Sequence, residues 1–224
     1  MGVEEIGNYT NGTTIAVEQL PSRYMLSPFE LASLAVSTGR AMQKVSEFAA
    51  FLDLVASGKP RRMMEIGFGN GGTAWAFSKM ETLEHMILLN LPNGPWGGSE
   101  DEQMLEYIVG NSGGKRIDYI AGNSQNVDSL EAVEARLKGQ LLDFLFIDGD
   151  HSAVGVAADY DLYKKFVRPG GLIAFHDIAE HPKETGCEVK VFWDALIKDL
   201  PEDSYCQFIE EAGGSWGGIG VVRV

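Results

Sequence analysis

Apolar residues along this chain change their spacing at Pro60. Ahead of it they recur every three to four positions, the signature of helices with one buried face. Ser27 is a good N-cap, Pro28 fits a first helical turn, and the run through Leu34 continues that helix. Gly39 interrupts. Val45, Phe48, Ala49, Leu52 and Val55 then mark the face of a second helix, which Gly58-Lys59-Pro60 stops. Beyond Pro60 short apolar runs alternate with helical stretches. The pattern predicts strands at 61–67, 85–91, 115–121, 141–148 and 171–177, with helices near 73–80, 100–109, 126–138 and 153–167. Runs such as Leu142-Asp143-Phe144-Leu145-Phe146-Ile147 are almost continuously apolar, as parallel strands covered on both faces must be. A helix at 188–200 then leads to two strands, 205–211 and 219–224, joined by a Gly-rich turn around Trp216. Strands linked so closely pair antiparallel, because a parallel return needs a crossover of about a dozen residues. The expected architecture is α/β: a doubly wound, mostly parallel seven-stranded sheet ending in an antiparallel hairpin. Residues 1–57 form a polar lead and helices packing on the core domain, 58–224.

Composition narrows the partners. The chain is 45% hydrophobic, enough for a sizeable core, and its formal net charge of −14 repels phosphate backbones and anionic lipid. A small-molecule partner is expected, with no nucleic acid and no membrane. Residues 1–10 lack a basic segment followed by an apolar one, Ile6 stands where myristoylation wants Ser or Thr, and no apolar run is long enough to span a bilayer. A cytoplasmic location follows as an expectation, with Cys187 and Cys206 as free thiols. Phe29, Leu31 and Leu34 could cover a cofactor or meet a second copy of the chain, so a homo-oligomer stays open.

Two stretches carry the chemistry. The first, Glu65-Ile66-Gly67-Phe68-Gly69-Asn70-Gly71-Gly72-Thr73, lies between a strand and a helix, where glycines let the main chain approach a ligand closely. By itself such a loop can be a tight turn and nothing more. With Glu65 just ahead of its first glycine, it resembles the first motif of class I S-adenosylmethionine-dependent methyltransferases, a Rossmann-like fold. The resemblance implies that Glu65, Gly67, Gly69, Gly71 and Thr73 hold the methionine and ribose parts of that cofactor. Gly67, Gly69 and Gly72 also satisfy a dinucleotide-binding spacing, which keeps a nicotinamide-dependent oxidoreductase as the alternative. Both families usually end the second strand on an acid; here it is Asn90, either a ribose contact or a turn residue. Asn123 and Ser124 follow the third strand, where the family places residues beside the adenine ring. Ser124 could also cap the next helix.

The second stretch is Ile147-Asp148-Gly149-Asp150-His151-Ser152, after the fourth strand, with His176-Asp177 after the fifth. Adjacent strands lie about 5 Å apart, so these groups can share one rim. Carboxylates gathered there suit a divalent cation, and an imidazole among them shifts preference from Mg2+ towards Mn2+, Fe2+ or Zn2+. Without a cation they shape the turns. Together with Arg168-Pro169-Gly170-Gly171, this string is similar to the branch holding metal-dependent sugar and macrolide O-methyltransferases and cephalosporin-hydroxylase-like proteins. The resemblance implies Asp148, His176 and Asp177 as ligands, Mg2+ foremost, with Asp148 also beside the cofactor. His151 or Asp150 becomes the base for a hydroxylated acceptor. At its unperturbed pKa of about 6.5, His151 suits that task. A non-catalytic cofactor- or metal-binding protein is the remaining reading, because Asn90 and His176 both depart from the family pattern.

Overall fold

The computed structural model describes residues 26–38, 40–93, 99–210 and 216–224. The expectations for the polar lead up to 25, for Gly39, for Trp96 in its Gly/Pro-rich loop and for the hairpin-turn glycines 213 and 214 lie outside the described residues. Helix α1 (Pro28–Ser37) opens on a full capping box: the Ser27 hydroxyl accepts the Glu30 N–H, and the Glu30 carboxylate accepts the Ser27 N–H at 2.7 Å. Helix α2 (Val45–Ser57) follows. Then β1 (Arg62–Ile66), α3 (Gly72–Ser78), β2 (His85–Asn90), α4 (Ser99–Gly110), β3 (Arg116–Ala121), α5 (Val127–Leu137), β4 (Leu142–Ile147) and α6 (Ala153–Tyr163) alternate. The chain ends with β5 (Val167–His176), α7 (Val189–Ile197), β6 (Tyr205–Phe208) and β7 (Ile219–Arg223).

The seven strands lie in the order β3-β2-β1-β4-β5-β7-β6, the first five parallel and β7 antiparallel to both its neighbours. The doubly wound sheet with a terminal hairpin is therefore as expected. One boundary moves. The helix expected to reach 167 stops at Tyr163, a short 3-10 turn (Lys164–Phe166) follows, and β5 starts at Val167, four residues early. Arg168-Pro169-Gly170-Gly171 is absorbed into that strand through a register shift against β4, a bulge no alternation of apolar residues announces.

Each face of the sheet carries its own core. Met63, Met86, Leu88, Phe144 and Phe146 pack under α1, α2 and α3, while Met64, Ile66, Leu145, Ile147 and Phe175 pack under α5, α6 and α7. Helices α1 and α2 thus share the core of the sheet; Phe51 of α2 stacks among Phe77, Phe144 and Phe146 at centroid distances of 5.5–6.1 Å. Strand order reverses between β1 and β4, which puts the crevice at their carboxyl ends where open α/β sheets bind ligands. No described helix is long and apolar enough to cross a membrane.

Candidate functional site

The glycine bend and the acid cluster meet at that crevice. The Asp148 N–H donates to the Ile66 carbonyl at 2.8 Å, and Gly67 sits against the Asp148 backbone. A Cβ at Gly67 would fall 1.9 Å from the Asp148 carbonyl oxygen, and its φ is +92°. Only glycine tolerates both. At Gly69 (φ +49°) a Cβ would meet nothing within 4 Å, so the middle of the bend borders open space. Asn90 holds the bend from β2: its Oδ1 accepts the Phe68 N–H at 3.1 Å. Between the two expected roles, the turn-organising one is what this bond performs. Thr73 donates its hydroxyl to Glu65 Oε1 in a short hydrogen bond, whereas Glu65 Oε2 is buried without a partner. Burial holds the Glu65 carboxyl well above the usual range; the Thr73 bond offsets part of this, and the Asp148 charge adds to it.

After β3, Asn123 Oδ1 accepts the Gln125 N–H at 2.8 Å in an Asx turn, and the Ser124 carbonyl accepts the Tyr163 hydroxyl at 2.7 Å. The cap expected at Ser124 belongs instead to Asn126, two residues later, because the Asx turn occupies the intervening positions.

Asp148, His151, His176, Asp177 and His181 form one network. Asp148 Oδ1 faces His151 Nε2 at 3.3 Å and His176 Nδ1 at 3.2 Å; Asp177 Oδ1 faces His176 Nδ1 at 3.4 Å and His181 Nε2 at 3.1 Å. His151 Nδ1 lies 3.3 Å from Asp177 Oδ2. Asp177 itself adopts φ +64°, a left-handed conformation that Asp tolerates at a cost of order 1 kcal/mol. Burial disfavours charge on Asp148, but His176 and His151 outweigh it and hold its carboxyl below the usual range. Burial likewise opposes charge on His176, and the two aspartates still raise it. His181 joins from the loop after β5: its Nδ1 lies 2.9 Å from the Ala179 carbonyl, and its Nε2 faces both the Gly217 N–H at 3.2 Å and Asp177 Oδ1 at 3.1 Å.

Two of the expected residues sit in surroundings the sequence does not announce. His151 was expected near its ordinary pKa, but the hydrogen bond to Asp148, then Cys187, and the two aspartate charges push it up to about 11 against the opposing effect of burial. Asp150, the alternative base, turns away from the cluster. Its Oδ1 accepts the Ser152 N–H at 2.9 Å and its Oδ2 the Gln125 side chain at 3.3 Å, tying the β3 and β4 loops together. Asp148, His176 and Asp177 each bring a ligand atom within 4.8 Å of the others, the set expected from sequence. His151, Asp177 and Cys187 do the same.

Several participants carried no sequence prediction. Gln43, buried between α1 and α2, donates its amide to Asp148 Oδ2 at 3.0 Å, while its own Oε1 has no partner. The neighbouring Arg40 carbonyl accepts the Gly72 N–H at 3.3 Å, so this connector covers the start of α3. Glu47 takes the Glu210 and Gly218 N–H groups, each at 2.8 Å, and pairs with buried Lys44 at 3.6 Å. Its signal was visible: Glu47 stands one turn before Phe51 on the apolar stripe of α2. Asp159 of α6 is wholly buried beneath Gly149, and neither of its oxygens completes a hydrogen bond.

Known proteins share this fold. The sequence model of a family described as a methyltransferase domain matches residues 64–178, just over half of the chain. An uncharacterised protein, R132, of Acanthamoeba polyphaga mimivirus is 28% identical over 155 residues, 68% of this chain and 66% of that protein's length. Among solved structures, the O-methyltransferase TomG from Streptomyces achromogenes, in complex with SAM, superposes with a TM-score of 0.59 at 15% identity, covering 88% of this chain and 90% of that one. The MycE methyltransferase of the mycinamycin biosynthetic pathway, in complex with Mg, SAH and mycinamycin VI, gives 0.58 at 17% identity, over 90% of this chain and 55% of that chain. At such identities these two establish a shared fold.

Proposed function

The chain belongs to the methyltransferase domain family, and from that premise we propose that it transfers a methyl group from S-adenosylmethionine to a hydroxyl of a small molecule, with a divalent cation assisting. The observation that carries the reading is the junction of Gly67 with Asp148, which sets the donor bend and the acceptor cluster side by side. The cofactor supplies an activated methyl on a sulfonium. Its site fits: the bend is open at Gly69, and Glu65 Oε2 is an orphaned buried acceptor beside it. A cation fits Asp148, His176 and Asp177, where two carboxylates and an imidazole nitrogen converge. There it would lower the pKa of an acceptor hydroxyl by several units.

The chain's own residues then have defined tasks. Gly67, Phe68 and Asn90 fix the path of the bend, and Gln43 orients Asp148 across the gap from the helical prefix. His151 is the residue placed to take the acceptor proton, beside Asp148 and Asp177; a cation held by those two carboxylates would disfavour a proton on His151 and so free its nitrogen for that task. Alignment of oxygen, carbon and sulfur for in-line displacement is the remaining contribution.

The family match lends the nicotinamide alternative no support. The test is release of S-adenosylhomocysteine in a screen of hydroxylated acceptors with Mg2+. Turnover should fall at least a hundredfold with chelator or in Asp177→Asn, with S-adenosylhomocysteine affinity little changed. Undiminished turnover in both would remove the cation from the account.

A further inference from the structure

Next to the expected cation position, we propose that His151, Asp177 and Cys187 form a second metal locus, one that takes a thiophilic divalent cation such as Zn2+ or Co2+. The three side chains offer an imidazole nitrogen, a carboxylate oxygen and a thiol sulfur, all within 4.8 Å of one another. His151 Nδ1 and Asp177 Oδ2 are already 3.3 Å apart. Ligands bound at about 2.0–2.1 Å in tetrahedral geometry lie roughly 3.3–3.4 Å from each other, so this edge needs no rearrangement. Only the sulfur has to close in.

Its loop is held for that approach. The Glu188 N–H donates to the His151 carbonyl at 2.8 Å, and Glu188 Oε2 accepts the Ala153 N–H at 3.2 Å. The Cys187 N–H rests on Thr185 Oγ1 at 3.2 Å. Cys187 therefore stands beside His151 through one main-chain and one side-chain anchor of the following residue. Asp177 divides its carboxylate between the two loci: Oδ1 faces His176 and His181, Oδ2 faces His151.

The donor sets differ in kind. Two carboxylates and one imidazole accept Mg2+ or Mn2+, whereas a thiolate with an imidazole selects the softer cations. Charge closes as well: on binding, Cys187 and His151 release their protons, and the thiolate and the Asp177 carboxylate neutralise the dication. Three protein ligands leave a fourth position open. The occupant would hold His151 by its nitrogen and deny it the acceptor proton, so Zn2+ should inhibit where Mg2+ supports. That consequence alone rests on the proposed methyl transfer; the binding does not.

Co2+ titration of the full chain, without cofactor or acceptor, reads the locus directly. The proposal expects a near-ultraviolet thiolate-to-Co2+ charge-transfer band saturating at one equivalent, lost in Cys187→Ser and kept in Cys206→Ser and Asp148→Asn. No band, a band surviving Cys187→Ser, or one lost with Asp148→Asn would overturn it. Should Cys187→Ser fail to fold, iodoacetamide labelling of the unaltered chain decides. Zn2+ must slow alkylation of Cys187 at least tenfold and leave Cys206 unaffected; equal protection or none contradicts the locus. Since neither readout involves turnover, a failed acceptor screen and a failed metal locus remain distinguishable.

Discussion

Asp159→Asn should stabilise this protein in alkaline solution and leave it unchanged in acid. Asp159 is 0% exposed, beneath the turn that follows β4. Burial is the main cause that pushes its carboxyl from an ordinary 3.8 up to about 6; the Asp150 charge adds to this, and the nearby Ser124 hydroxyl offsets part of it. A carboxyl raised on folding favours the folded state while it is protonated. Its contribution is fully present below about pH 3.8 and is lost as pH rises through 6. The difference of about two pH units corresponds to a penalty of about 3 kcal/mol above pH 7. Asn has the shape of the protonated acid and no charge, so it removes that penalty. For a chain of this size the gain translates to a Tm higher by ~6–12 °C at pH 8, with melting curves converging as the pH falls below about 3.8. Thermal unfolding followed by circular dichroism across that range is sufficient. A variant less stable than the parent at pH 8, or equally shifted at both ends, would refute the reasoning.

Gly67→Ala puts a Cβ into the Asp148 backbone at a φ closed to alanine, and urea unfolding should register a loss of ~3 kcal/mol or more. Gln43→Ala removes a charge-assisted hydrogen bond to Asp148 worth about 1.5–3 kcal/mol. As a positioning change, it should weaken Mg2+ binding and lower kcat/KM, while S-adenosylhomocysteine affinity by calorimetry stays within a few-fold. Glu47→Gln leaves one of the Glu210 and Gly218 N–H groups without an acceptor and Lys44 without its counter-charge, so chemical denaturation should show a cost of about 1–3 kcal/mol.

The architecture was legible because its signals are local. Continuous apolar runs such as Leu142–Ile147 mark doubly covered strands, and Ser27-Pro28 with Glu30 writes a helix start into four residues. The early start of β5 was not, since a bulge depends on its partner strand. In the site, Gly67, Asp148, His176 and Asp177 were readable because topology alone puts the carboxyl ends of β1, β4 and β5 on one rim. Gln43 was not: it reaches the rim from the connector between α1 and α2, far from Asp148 in sequence, and only the folded chain sets that approach. The pKa of His151 departs from its ordinary value for a related reason. A residue's ordinary value says nothing about two carboxylates converging on it from different strands.

In the proposed reaction the donor methyl and the acid cluster occupy a single crevice. Nuclear magnetic relaxation of the S-methyl protons of bound S-adenosylmethionine, with Mn2+ added to the chain, measures that proximity. Strong enhancement that vanishes in Asp177→Ala is the predicted result. Tight cofactor binding with relaxation indifferent to Mn2+ would contradict it.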